Sequence, residues 1–242
     1  MDNIDNSASM DPAQSISPLS LGRFREFITV ATGAVILAGV VREIFVFNVG
    51  TETVLQDLRH FALDAERNLG AWYSSLLLML SAFLLYFCGG LSRARRLRGS
   101  YNWYLLAVIF VFLSVDETVG FHETLIDPLR SAFDAKGIFH FAWVIPGMLA
   151  VFVAGLYFIP FLLRLPRRLA LGMFVAGLVY VGGALGLELV GGLIASDHGM
   201  QATNYIMVAI VEESLEMIGL TIFLWVLSGH ICDHNRLYKI VR

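Results

Sequence analysis

Between Leu113 and Thr124 an otherwise apolar run carries Asp116, Glu117, His122 and Glu123, and a later apolar run carries Glu212, Glu213 and Glu216 within about one helical turn. Carboxyl and imidazole groups grouped this way can hold a divalent metal, pass protons as acids and bases, or attract a cation. Carboxylates joined by one or two imidazoles suit zinc, manganese or iron, and an all-oxygen set suits calcium, magnesium or manganese. The expected metal ligands are Asp116, Glu117, His122, Glu212, Glu213 and Glu216, with Arg42, Glu43, His140 and Glu188 as neighbours that hold or balance them. Spacing does not select the metal. No HExxH is present, and the paired Glu-x-x-His of ferritin-like di-iron bundles is also missing.

The elements that must position these groups are membrane helices. The hydrophobic fraction is 57%, the charged fraction 15% and the mean hydropathy +0.70, far from the composition of a soluble domain. The chain therefore reads as an all-α polytopic membrane protein, a bundle of six transmembrane helices. A hydrocarbon core about 30 Å thick takes roughly 20 helical residues to cross. Six segments are that long, near 26–49, 71–91, 101–121, 139–163, 169–196 and 203–229. Residues 1–22 read as a disordered tail, since they lack a basic stretch followed by an apolar run; 23–230 read as the transmembrane domain and 231–242 as a basic tail. A net charge of -3 argues against a nucleic-acid partner, and two cysteines, Cys88 and Cys232, make no disulfide framework.

Arginine and lysine set the orientation. Arg23 and Arg25 precede segment one; Arg93, Arg95, Arg96 and Arg98 follow segment two; Arg164, Arg167 and Arg168 follow segment four; Arg236, Lys239 and Arg242 end the chain. The alternate loops carry Glu52, Asp57, Asp64, Glu66, Asp127, Asp134 and Asp197. Both termini are expected in the cytoplasm, and the location expected is a bacterial inner membrane surrounded by lipid, with a homo-oligomer or a larger complex open.

That topology gives each polar residue a depth. At about 1.5 Å per residue Asp116 and Glu117 lie roughly 22 to 24 Å along segment three, in the outer third, and Glu212 to Glu216 lie roughly 13 to 20 Å down segment six. Glu43, His140 and Glu188 fall in the same outer half, with His140 opening segment four. At about 100° per residue the three glutamates of segment six share one face. Segment three is less simple: Ser114, Thr118 and His122 form one stripe, while Asp116 and Glu123 lie nearly opposite. Either the helix bends or ends at Gly120, or Asp116 and Glu123 serve another contact.

Plainer roles compete with each functional one. His122, Glu123 and His140 can snorkel to the interface, and Arg42 can pair with its neighbour Glu43 or with a carboxylate on another helix. The acids of segment six can be protonated, hydrogen-bonded groups that fix helix packing. In segment five the spacing of Gly182 and Gly186 predicts close helix approach, and Pro146 and Pro160 predict kinks in segment four. At the other membrane face His230-Ile-Cys-Asp-His234 has zinc-compatible spacing, although such residues more often form a solvated turn.

Thr118-Val-Gly-Phe-His122 with this downstream HxxxH superficially resembles the alkaline ceramidase and progestin-receptor-like superfamily of intramembrane zinc hydrolases. His122 and the His230/His234 pair, however, sit about one bilayer thickness apart, which removes a shared zinc. Leu113 to Glu123 and Glu212 to Glu216 are closer to uncharacterised bacterial six-helix membrane proteins with an LSxDE...HE and an EExxE segment. That resemblance implies no activity. Three functions stay open: a metal-dependent membrane enzyme acting from the periplasmic side on a lipid-like substrate, a proton- or cation-coupled transporter or channel, and a structural subunit of a membrane complex.

Overall fold

A computed structural model describes residues 18–50, 56–63 and 68–240, and the side chains of 20–50, 58–63 and 68–233. Most of the expected N-terminal tail, the acidic loop residues Glu52, Asp64 and Glu66, and the side chains of His234, Arg236 and Lys239 lie outside these. The described residues are helical, with no strand among them. The order is α1 (Pro18–Val49), α2 (Leu69–Ala94), α3 (Ser100–Val119), the short α4 (Phe121–Thr124) and α5 (Ile126–Phe133), α6 (Val144–Leu162), α7 (Arg167–Val181), a π turn (Gly182–Leu187), α8 (Glu188–His198) and α9 (Thr203–Ile240). Six membrane-length apolar spans result, with α7, the π turn and α8 together making the fifth. The protein is a multi-pass membrane protein.

Burial separates the centre from the rim. In α9 61% of the apolar window is buried, against 11% in α1 and 17% in α6, so α9 is the axis and the other two are peripheral. Large apolar side chains such as Phe27, Phe47, Phe83, Phe152 and Leu163 point outward, the surface lipid requires. Hydroxyls tie the centre together. Thr32 Oγ1 lies 2.9 Å from Tyr73 Oη and 2.8 Å from Thr221 Oγ1, linking α1, α2 and α9, and Tyr73 donates onward to the Ile28 carbonyl at 3.2 Å. Arg25 donates to the Trp225 carbonyl at 2.5 Å, with its guanidinium 5.5 Å from the Trp225 ring centre. The start of α1 and the later part of α9 therefore share one face, the terminal face; the opposite one is the far face.

Local chemistry sets the boundaries. Asn68 caps α2 by accepting from Ala71 N at 2.7 Å and donates to the Ala62 carbonyl at 2.5 Å, which pins the preceding turn to the helix. The fourth span begins later than expected: Gly137–Phe139 is a 3-10 turn, His140 follows it in non-helical chain, and α6 starts at Val144. Pro146 consequently falls in the first turn of α6, where a missing N–H breaks no helical bond, and Pro160 stands near the end. At the other end of the chain α9 runs on to Ile240, into the stretch expected to be tail.

Close packing of the fifth span on α9 is real, but it uses other glycines than Gly182 and Gly186. A Cβ on either of those would meet nothing within 4 Å, because the π turn rotates them away. On Gly183 it would meet the Glu212 carbonyl at 2.8 Å, and on Gly219 it would meet Tyr180 N at 2.7 Å and the Ala176 carbonyl at 3.0 Å. Backbone atoms cannot swing aside as side chains do. Gly219→Ala is therefore expected to destabilise the protein by about 1–3 kcal/mol through overpacking, read as a lowered midpoint of thermal unfolding in detergent. Gly177→Ala, whose Cβ has open space, should leave the midpoint unchanged or slightly raised; equal losses in both would refute the close contact.

Candidate functional site

α3 ends because of one residue. Gly120 adopts φ +69, the left-handed region, and its N–H closes on the Asp116 carbonyl at 2.7 Å. The chain then turns back, so that His122 N donates to Asp116 Oδ1 at 3.1 Å and His122 Nδ1 lies 2.7 Å from Asp116 Oδ2. A straight helix would have held these two about 120° apart. The break at Gly120 brings them together, and Glu123 follows with Oε1 4.0 Å from His122 Nε2. Burial works against a charged His122, but its hydrogen bond to Asp116 and the charges of Asp116, Glu123 and Glu117 outweigh it and raise its pKa above the usual 6.5. The His122 ring also lies 4.7 Å from that of Trp143.

The rest of the expected stripe has another task. Ser114 and Thr118 face α2, where Ser75 Oγ lies 2.9 Å from Ser114 Oγ and accepts from Thr118 Oγ1 at 3.0 Å. These small hydroxyls hold α3 against α2 and leave the acids to the other side.

The second group forms where the fifth span meets α9. Glu188 directly follows the π turn, a local widening often found at functional positions. Its Oε1 accepts from Trp143 Nε1 at 2.7 Å, and its carboxyl is paired with that of Glu212 in the same cavity wall. Gly183 lets α9 come near enough for that pair to form. Glu216 is 8% exposed and interacts electrostatically with Glu213, Glu117, Glu212 and Glu188. Tyr180 interacts electrostatically with Glu216, Glu117, Glu213 and Asp116. Acids from α3, α8 and α9 thus form one interacting set.

A cavity of about 460 Å³ gives access to it. Glu188, Glu212 and Glu213 contribute to its lining from the bundle; Glu123, Asp127, Arg130 and His140 contribute from the connection between α3 and α6. Arg130 braces this connection by donating to the His140 carbonyl at 2.7 Å and to Asp127 Oδ1 at 3.1 Å. Burial and the nearby Arg130 charge lower the pKa of His140, so its ring adds no positive charge near neutrality.

Of the expected site residues, Asp116, Glu117, His122, Glu188, Glu212, Glu213 and Glu216 belong to this set, and His140 lines the cavity. Arg42 and Glu43 form an ion pair with each other on α1. Among the described residues no group of three His, Cys, Asp or Glu side chains converges closely enough to hold a metal ion. His230, half of the HxxxH, stacks on Trp103 at 5.9 Å and 16°. Trp143, Tyr180 and Arg130 were not foreseen as site residues. Only Trp143 left a usable trace, as an indole beside the apolar run of α6 where an N–H can meet a polar group.

One family model matches this chain, over residues 28–232, and so includes all the site residues and nearly all of the six spans. The chain belongs to that family, Domain of unknown function (DUF8692). No curated protein and no solved structure matches it. Within the DUF8692 match the Asp116–His122 pair makes a direct prediction. A raised folded-state pKa stabilises fully below the unfolded value and is lost as pH rises through the folded one. The thermal midpoint should therefore fall as pH is raised from about 6 to about 9, and His122→Gln should flatten that part of the profile. An unchanged slope in the variant would remove the pair as its cause.

Proposed function

We propose that this protein is a proton-coupled carrier of a small solute, with the Glu188 and Glu212 pair as its proton site and the adjoining cavity as its solute site. The observation that carries this reading is the pairing of two carboxyls from different spans in the wall of a polar cavity. Two neighbouring carboxyls in a poorly hydrated place favour holding a proton over carrying two charges. Losing it leaves two like charges within bonding distance in a poorly screened place, which a cation entering the cavity would offset. Glu213, Glu216, Glu117 and the Asp116–His122 pair extend the acid set behind it. The arginine-rich loops on the terminal face support placing that face in the cytoplasm and the cavity toward the periplasm of a bacterial inner membrane.

The test is coupling. In proteoliposomes with an acidic lumen and an internal pH indicator, one class among inorganic cations, organic cations, carboxylates and sugars should discharge the gradient through the wild type. Glu212→Gln and Glu188→Gln should slow that discharge at least about tenfold, the usual size of losing a positioned proton-transfer group. A panel that stays silent with folded wild-type protein would end this reading.

A divalent metal is the second reading, and the surplus of acid favours it: Glu123, Asp127, Glu188, Glu212 and Glu213 line a cavity whose Arg130 is already paired with Asp127. Side-chain rotation by Glu212, Glu213 and Glu216 would be needed to gather donors around zinc, manganese or iron. Hydrolysis of a lipid-like substrate would then be its chemistry. Stoichiometric metal in gently extracted protein, reduced in Glu213→Gln and Glu216→Gln, is the expected result; metal-free wild type would retire it.

A further inference from the structure

The cavity has a wall that the proton chemistry does not use. Phe141, 7% exposed, and Tyr205 contribute to its lining, with ring centres 6.1 Å apart and planes inclined by 42°. Two glycines of α8 make room for them. A Cβ on Gly191 would meet Tyr205 Cε2 at 3.5 Å, and one on Gly192 would meet Phe141 Cδ2 at 3.4 Å and the Ile138 carbonyl at 3.2 Å. The aromatic pair is thus seated directly against the backbone of α8, beyond the turn of Glu188. The carboxyls of Glu188, Glu212 and Glu213 line the same cavity.

Charge and shape together narrow the ligand. Five carboxyl side chains line the cavity, Arg130 is paired with Asp127, and His140 is held toward its neutral form, so the interior favours a cation. A bare inorganic ion needs several donors converging at 2.0 to about 2.6 Å, and among the described residues no such group of three is present. The acids are instead spread around a space of about 460 Å³, within the range of small-molecule pockets. A diffuse cation with an apolar shell fits that arrangement, since aromatic faces attract organic ammonium groups and carboxyls need not touch them.

We propose that the cavity binds an organic ammonium ion, its charge held between the Phe141 and Tyr205 rings on one side and the Glu212 and Glu213 carboxyls on the other. This rests on the reading of the site as a proton-coupled carrier and names the class of its solute. A free amine and a lipid headgroup present the same ammonium chemistry to the cavity.

The full chain in nanodiscs of phosphatidylglycerol, titrated with benzyltrimethylammonium, provides the test; a quaternary ion has no neutral form that crosses membranes. Binding should be at least about tenfold tighter than for neopentylbenzene, its uncharged isostere. Tyr205→Leu should weaken it about tenfold while Tyr205→Phe retains it, which separates the ring from the hydroxyl and from misfolding. Competition when phosphatidylethanolamine is added to the discs would identify a headgroup as the source, and its absence a free amine; either supports the proposal. Equal affinity for the uncharged isostere would overturn it, as would full affinity in Tyr205→Leu. If sodium or a divalent cation discharges the proteoliposome gradient while benzyltrimethylammonium neither binds nor discharges it, the ammonium proposal falls and the carrier stands. If no solute discharges the gradient, the carrier falls.

Discussion

A carboxyl group at membrane depth has lost the water that would stabilise its charge, and what replaces that water shapes most of this molecule. Asp116 receives a backbone N–H and an imidazole from His122. Glu188 receives the Trp143 indole N–H and has the Glu212 carboxyl beside it. Glu43 receives its neighbour Arg42. Each answer requires a donor from a particular place, and so restricts where a helix can end and which spans can touch. Gly120 ends α3 where His122 can return to Asp116, and α6 begins late enough for Trp143 to stand outside its first turn, facing both His122 and Glu188.

The second requirement is distance. Carboxyls on neighbouring spans pair only if the backbones come close, and Gly183 and Gly219 remove the side chains that would keep the fifth span from α9. The π turn adds a matter of angle. An uninterrupted α-helix from Arg167 would place Glu188 about 100° away from its present direction, since a π insertion shifts the following residues by one position. The same turn moves Gly182 and Gly186 off the contact. Packing and aim are therefore set by one local irregularity.

Much of this was legible in the sequence, for reasons that differ by residue. Six spans follow from length and hydropathy, and the shared membrane half of the acids follows from the arginine pattern and the helical rise. The break at Gly120 was foreseen as an option, because a glycine between a polar stripe and its contradictory neighbours offers the chain a turn. What followed the break was not: a left-handed residue sends the chain in a direction that period counting along a straight helix does not contain. The π turn defeated the Gly182 and Gly186 spacing for the same reason, since that spacing assumes 3.6 residues per turn throughout. His140 fell outside α6 because apolar residues continue across Phe139 to Val144 without a strong stop signal, while Gly137 at φ +60 sets a separate turn. Trp143 and Tyr180 carry no charge and no motif, so nothing in the sequence ties them to their acid neighbours.

The two sides of the cavity are held by different forces. One side is the fifth span against α9, locked by glycine contacts with backbone atoms and by apolar burial around Met173, Ala176 and Leu220. The other is the connection from Gly120 to Trp143, built of a four-residue helix, an eight-residue helix and a 3-10 turn. Its side-chain ties to the bundle and to itself run through His122, Arg130, Trp143 and Ser196, whose Oγ accepts from Gly137 N at 3.3 Å, and no residue from Phe121 to His140 is buried. Segments with little apolar burial and few hydrogen bonds open at lower free energy than a packed helix pair. One of those ties, Asp116 to His122, also weakens when the imidazole loses its proton. In a proton-coupled carrier the connection is thus the side suited to move, and the glycine-packed pair the side suited to keep the carboxyls in register while it does.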